Sequence, residues 1–251
     1  MRLTVVGCSG SYPGPDSPAS AYLVESDLDG RTWRILLDLG NGSLGALHRY
    51  ADPLAIDAVF LSHLHADHCL DLCSYYVLRK YHPDGAQPRI PVHGPVGVAA
   101  RLAAAYDLPH EPGMTGEFDF LEYAGPVRLG PFLVEPPPVV HPVPSFALRV
   151  TADGRSLTYS GDTAPCPGLD EAAAGVDLLL AEASFLDGVD NPEGIHLTGR
   201  EAAELAVRAG VGRLVLTHIP PWNDAAIALA AAQDVFTGPL ELARPGAAWE
   251  V

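Results

Sequence analysis

The sequence predicts an α/β fold: two mixed β-sheets packed face to face with helices outside, in one domain covering residues 1–251. Three observations predict it. Short apolar runs bounded by turn residues recur through the chain, and helical patterns separate some of them. The first half is mostly strands with short turns, whereas the second repeats a strand followed by a helix. The length of 251 residues, 48% of them apolar, is enough to bury a large core.

In order, the strand-like runs are Leu3–Val6, Ala21–Glu25, Trp33–Asp38, Ala58–Leu61, Ile90–His93, Phe132–Glu135, Phe146–Thr151, Leu157–Ser160, Leu178–Ala181 and Leu214–Thr217. Val96–Tyr106 is alanine-rich and helical in pattern. Thr198 precedes Glu201 by three positions, a capping-box pattern that starts a helix through Ala202–Ala209. Asp224 is placed to start a helix over Ala225–Val235. Pro and Gly cluster at Pro13–Pro18, Pro109–Gly116 and Pro136–Pro144; the first and last of these are expected to be ordered loops beside a site.

Thirty-one acidic residues against 15 basic ones give a formal charge of −16, and the basic residues never run three together. Such a field repels a polyanion, so a nucleic-acid partner is not expected. A small anionic substrate is acceptable where bound cations make the surface locally positive. Cys8, Cys69, Cys73 and Cys166 form no C-x-x-C pair and read as reduced core thiols, with Cys69 and Cys73 one turn apart on a single helix. The N-terminus starts as a strand rather than a signal peptide, and no run reaches membrane-spanning length, so a cytoplasmic location is expected.

Chemistry concentrates in His63-Leu64-His65-Ala66-Asp67-His68, directly after the buried-strand pattern ending at Leu61 and Ser62. Four imidazole and carboxylate groups within six positions would strand one another's polar atoms unless something bound them. These are the ligands zinc and similar dications prefer. His141, Asp162 and His218 each follow another strand-like run and can complete sites for two ions. His48, His82, His93 and His110 stand outside this pattern and read as surface or structural. Gly7-Cys8-Ser9-Gly10-Ser11 is a glycine turn without dinucleotide-binding spacing.

The ordered set His63-x-His65-x-Asp67-His68, the lone His141, Ser160-Gly161-Asp162-Thr163 and Leu216-Thr217-His218 resembles the metallo-β-lactamase family, in particular its ribonuclease Z branch. The resemblance spans nearly the whole chain and implies an αβ/βα four-layer sandwich. It also implies two divalent ions, zinc before manganese or iron. His63, His65 and His141 would hold one ion, Asp67, His68 and His218 the other, and Asp162 would bridge them around an acidified water that Asp67 orients. His196 matches the branch's general acid, and Glu182 matches a glutamate that would orient it. The histidine preceding that glutamate in the branch is Ala181 here. Asp38 resembles an aspartate that props the histidine loop. Many members are homodimers, which is the oligomer the analogy implies.

Ribonuclease Z carries a basic tRNA-gripping arm between the lone histidine and the Gly-Asp-Thr motif. Here His141 and Asp162 are 21 positions apart, room for two strands and their turn only. Ile219-Pro220-Pro221-Trp222 also replaces the branch's polar segment after the last histidine. Together with Gly14–Ser20 and Leu61–Leu72, these features are similar to an actinobacterial arm-less group that includes an atypical class II cyclic-nucleotide phosphodiesterase. That similarity implies a small phosphodiester substrate, 3′,5′-cyclic AMP hydrolysed to 5′-AMP, with Trp222 and Phe146 available to stack on a base. The alternatives are an arm-less tRNA 3′-endonuclease, a hydrolase of another ester or lactone, and, least favoured, a non-catalytic metal-binding protein.

Overall fold

The computed structural model describes residues 1–251. The first sheet is built from β1 (Arg2–Gly7), β2 (Ala21–Leu28), β3 (Arg31–Leu37), β4 (Ala58–Phe60), β5 (Ile90–Gly94) and β6 (Phe118–Glu122). The second contains β7 (Val127–Leu129) and β8 (Phe132–Glu135). A two-stranded ribbon of β9 (Pro138–Val139) and β10 (Ser145–Phe146) then intervenes. The second sheet resumes with β11 (Leu148–Ala152), β12 (Arg155–Tyr159), β13 (Leu178–Glu182), β14 (Leu214–Thr217) and β15 (Leu240–Leu242). The last strand, β16 (Ala248–Glu250), returns to the first sheet beside β1.

The strand orders are β16-β1-β2-β3-β4-β5-β6 and β15-β14-β13-β12-β11-β8-β7. Each sheet is antiparallel at one side and parallel at the other: β3 to β6 run parallel in the first, and β12 to β15 in the second. The helices are α1 (Ser43–Leu47), α2 (Ala66–Cys69), α3 (Asp71–Lys80), α4 (Val98–Ala105), α5 (Pro167–Ala173), α6 (Gly199–Ala209) and α7 (Ala225–Gln233). None is long and apolar enough to cross a membrane.

Period-2 side-chain alternation sorts the apolar residues into layers. Val5, Leu37 and Leu180 point into a central core that joins the sheets, where they meet Phe60, Leu148 and Val215. Their neighbours Val6 and Leu36 point outward under α3 and α4, among Leu72, Tyr76 and Leu102. Leu179 does the same on the second sheet, against Leu169 of α5, Leu205 of α6 and Ala228 of α7. Burying both faces of each sheet produces the expected α–β–β–α layering.

Local expectations are mostly met. Thr198 and Glu201 form the reciprocal capping box of α6, and the Asp224 carboxylate caps α7 by accepting from the Ala226 amide. Two expectations need correction. The run Phe146–Thr151 is not one strand: the Phe146 amide donates to Ser62 and the Ala147 amide to Pro137, which pulls Phe146 into the ribbon and leaves β11 to start at Leu148. Cys69 and Cys73 do not share one helix, because the chain turns at Leu70 between α2 and α3. Both thiols are free and sit against the same outer core.

Candidate metal centre

The chemistry-bearing residues gather at one rim of the sheets. His63, His65, Asp67 and His68 follow β4 and open α2; Asp162 follows β12, Glu182 ends β13, and His218 follows β14. His141 comes from the loop joining β9 to β10. The rim is where the C-terminal ends of adjacent parallel strands release their loops, the usual place for a site in such sheets.

Two groups form there, sharing Asp162. In the deep group, His68 Nε2 lies 3.0 Å from His218 Nε2, and His218 Nε2 lies 3.1 Å from Asp67 Oδ2. Asp162 Oδ1 is 3.3 Å from His68 Nε2 and 3.4 Å from His218 Nε2. In the outer group, His65 Nδ1 is 3.1 Å from His63 Nε2 and 3.2 Å from His141 Nε2. Asp162 Oδ2 faces this group, 3.7 Å from His63 Nε2. One carboxylate therefore presents one oxygen to each group.

The hydrogen-bond network sets the tautomers. Ser62 Oγ donates to Asp38, so it accepts from His63 Nδ1. Ser184 Oγ donates to the His218 carbonyl, so it accepts from His218 Nδ1. His68 Nδ1 donates to Asp38 at 2.7 Å, and His141 Nδ1 donates to the Ile195 carbonyl at 2.9 Å. With Nδ1 carrying the proton in each ring, four Nε2 lone pairs point inward at one another and at two carboxylates. Asp162 Oδ1 is buried without a hydrogen-bond partner. Converging acceptors at about 3 Å, with a carboxylate oxygen unsatisfied, is the arrangement a cation resolves and an unliganded loop does not. The residues fit divalent metal.

Electrostatics agree for the two carboxylates and for His63, His65 and His141, with His68 the exception. Burial pushes Asp162 and Asp67 upward, but the surrounding imidazoles outweigh it and hold both carboxyls well below the usual range. Burial, helped by neighbouring imidazoles, holds His63 and His65 below the ordinary histidine value. Burial also dominates at His141. His68 is buried too, yet Asp162 and Asp38 pull it upward.

Asp38 lies just past β3 in the left-handed region at φ 59°, a backbone conformation uncommon outside glycine. It is fully buried and accepts from the Ser62 amide and hydroxyl, from His68 and from the Tyr159 hydroxyl. The glycine turn after β1 braces the other side. A Cβ on Gly10 would come within 2.3 Å of the His218 carbonyl, and His218 itself is left-handed at φ 53°. Only glycine lets the two loops approach this closely.

His196 stands at the mouth of the centre, two residues before the α6 cap. Its Nδ1 donates to Glu182 Oε1 at 2.8 Å and lies 4.0 Å from Asp162 Oδ2. Glu182 is fully buried and is itself fixed by the amides of Thr163 and Ser184. Burial lowers the His196 pKa, but the Glu182 charge and hydrogen bond, together with Asp162, raise it to about 8. Glu182 thus favours the protonated imidazole, and Nε2 has no partner in the chain.

The two aromatic side chains expected near a substrate fall in different places. Trp222 shares a cavity with His196 and stacks on Tyr12, centroids 5.3 Å apart. Phe146 packs edge-on against Tyr123 and does not line that cavity. Sequence reasoning assigned no role to Ser62, Ser184 and Tyr159, which position ligands or their supports. Ser62 adjoins the histidine cluster and Ser184 follows Glu182 by two, so proximity was the available signal; Tyr159 gave none. His93 is buried and stacked on Phe60, while His48, His82 and His110 lie outside the centre.

Residues 33–219 match the family model for the beta-lactamase superfamily domain. The chain belongs to that superfamily and is a metal-dependent hydrolase within it. It is 45% identical to an uncharacterized protein of Mycobacterium tuberculosis over 96% of this chain and 88% of that one. It is 30% identical to ribonuclease Z of Myxococcus xanthus, covering 98% of this chain and 96% of the relative. The crystal structure of the metallo-β-lactamase fold protein YhfI from Bacillus subtilis superposes with a TM-score of 0.86 at 27% identity, over 99% of both chains.

Proposed function

We propose that the chain is a dinuclear metal phosphodiesterase that opens a small cyclic phosphodiester, 3′,5′-cyclic AMP, to 5′-AMP. The observation that carries this reading is Asp162, whose two oxygens face two separate groups of lone pairs with His196 beside them. His63, His65, His141 and Asp162 would hold one ion, and Asp67, His68, His218 and Asp162 the other. Zinc suits so imidazole-rich a set. When bound, such a pair supplies Lewis acidity to phosphoryl oxygens and acidifies a water.

The chain's own residues supply the rest. Water adds to phosphorus and the bond to the ribose 3′ oxygen breaks, so a proton must reach that oxygen. His196 Nε2–H provides it. Glu182 keeps the imidazole protonated and fixes its plane. Asp67, ionised and 3.1 Å from His218, orients the attacking water.

Two observations favour this substrate over tRNA, although ribonuclease Z is among the relatives. The segment between His141 and Asp162 is filled by β10, β11 and β12 with their tight turns, leaving no gripping arm. The net charge of −16 opposes a polyanion. Incubating the metal-loaded protein with cyclic AMP, precursor tRNA and a lactone, and identifying products by mass, tests the choice. Release of 5′-AMP alone is expected; cleavage of tRNA or the lactone alone would replace this reading. His196→Ala should lower kcat on cyclic AMP by about 10²–10⁴-fold with metal content retained. Unchanged turnover removes His196 from the chemistry.

A further inference from the structure

The three histidines of the outer group differ in what orients them. His63 donates through Nδ1 to the Ser62 hydroxyl, and His141 through Nδ1 to the Ile195 carbonyl. His65 is turned the other way: its Nδ1 faces the group, and its Nε2 makes no hydrogen bond within the chain. No side-chain hydrogen bond from outside the group holds this ring. Its direction is therefore set by the backbone that carries it.

That backbone is tied down carbonyl by carbonyl. The Leu61 carbonyl accepts from the Tyr123 hydroxyl, the Ser62 carbonyl from the Phe146 amide, and the His65 carbonyl from the His68 amide. The Leu64 carbonyl accepts from Arg101 Nε at 3.3 Å. This carbonyl belongs to the peptide that joins Leu64 to His65, and a peptide is planar, so fixing its oxygen fixes the plane that leads into His65. Arg101 projects from α4, whose Val98, Leu102 and Ala103 are buried and whose start is held by Glu122, which accepts from the Gly97 amide. The brace thus runs from a packed helix to the loop.

Nothing else in the fold occupies Arg101. Nine of the 15 basic residues are paired with a carboxylate, and Arg101 is not among them. The side chain is exposed, yet its one hydrogen bond goes to the histidine loop rather than to any of the 31 acidic residues. A charged donor also makes a stronger bond to a carbonyl than a neutral one would.

We propose that Arg101 is a positioning residue for the outer ion: by holding the Leu64–His65 peptide, it aims His65 Nδ1 at the group that His63, His141 and Asp162 complete. It touches no ligand atom and takes no part in the chemistry. The proposal rests on the two-ion reading and on no particular substrate.

Zinc affinity reads this directly. Stepwise binding is measured by competition with a chromogenic chelator, and the outer step is identified as the one that His141→Ala weakens. Arg101→Ala should weaken that step by about tenfold and leave the other nearly unchanged. Arg101→Lys, which keeps the charge and a donor, should recover part of the loss. Guanidinium added below denaturing concentration should do the same for Arg101→Ala, because the missing side chain leaves its place open to solvent. The urea midpoint of zinc-free Arg101→Ala should match that of the wild type, which separates aiming a ligand from holding up the fold.

Wild-type affinity at both steps in Arg101→Ala, or equal loss at both, overturns the proposal. A loss that neither lysine nor guanidinium relieves assigns the effect to packing and overturns it as well. A wild-type protein that takes up one ion only sinks the two-ion reading and this proposal with it. Two ions bound without hydrolysis of cyclic AMP, with the Arg101 variants behaving as expected, supports the brace and sinks the reaction.

Discussion

The two halves of the candidate metal centre draw on the same kinds of side chain and hold them differently. In the deep group every candidate ligand is buried, and each imidazole is fixed by a further side chain: His68 by Asp38, and His218 by Ser184. Asp38 is in turn held by Ser62 and Tyr159. In the outer group only His63 is buried and held by a side chain, that of Ser62; His65 and His141 are half-buried, and His141 is anchored by one backbone carbonyl, that of Ile195. The contrast teaches a division of labour. A ligand set whose rings are already oriented loses little freedom on binding an ion, whereas a looser set open to solvent leaves room for a substrate to approach. The loop bearing Ile195 also carries His196, so the same segment anchors His141 and positions the proposed acid.

Three measurements would break or sharpen this contrast. The largest effect is expected from Asp162→Ala, because that carboxylate alone serves both groups. Metal analysis should show loss of both ions and hydrolysis should fall to background; retention of one ion at full occupancy would mean the groups are independent.

Next comes Asp38→Ala set against His141→Ala. The first should weaken the deep site by about 10–100-fold, measured by competition with a chromogenic chelator, and the outer site by less, because His63 reaches Asp38 only through Ser62. His141→Ala should do the reverse. Equal weakening of both sites by Asp38→Ala would erase the distinction between halves.

The smallest effect is expected from Tyr159→Phe, which removes one of the donors to Asp38 while three others remain. Stability should drop by about 1 kcal/mol in urea unfolding, with little change in turnover. A large loss of metal affinity would show that the tyrosine, rather than the serine, sets the Asp38 orientation.

The fold was legible in the interior of each sheet and illegible at its margins. Every sheet strand read from the sequence is an interior strand. The four that escaped in the two seven-stranded sheets, β6, β7, β15 and β16, are the two edges of each. An interior strand is covered on both faces and needs an unbroken apolar run such as Leu178-Leu179-Leu180-Ala181. An edge strand is half-solvated and blunted by charge, as in Phe118-Asp119-Phe120-Leu121-Glu122, so its pattern is lost among loops. The site divides similarly. The histidines and aspartates stand out because polar groups of that kind seldom crowd a strand end, whereas Tyr159 sits within an ordinary strand and acquires its role only from what lies across the core.

The sequence alone determined which side chains could bind metal and that they would emerge from strand ends, because ligand chemistry and apolar periodicity are both local properties. Only the tertiary structure decided which face which. Residues as distant as Asp67 and His218 meet because β4 and β14 belong to different sheets whose rims are pressed together by the shared core. It also separated Phe146 from Trp222, since backbone bonds to Ser62 and Pro137 hold the Phe146 segment in its own ribbon. Pairing across such distances depends on packing, and packing is a property of the whole chain.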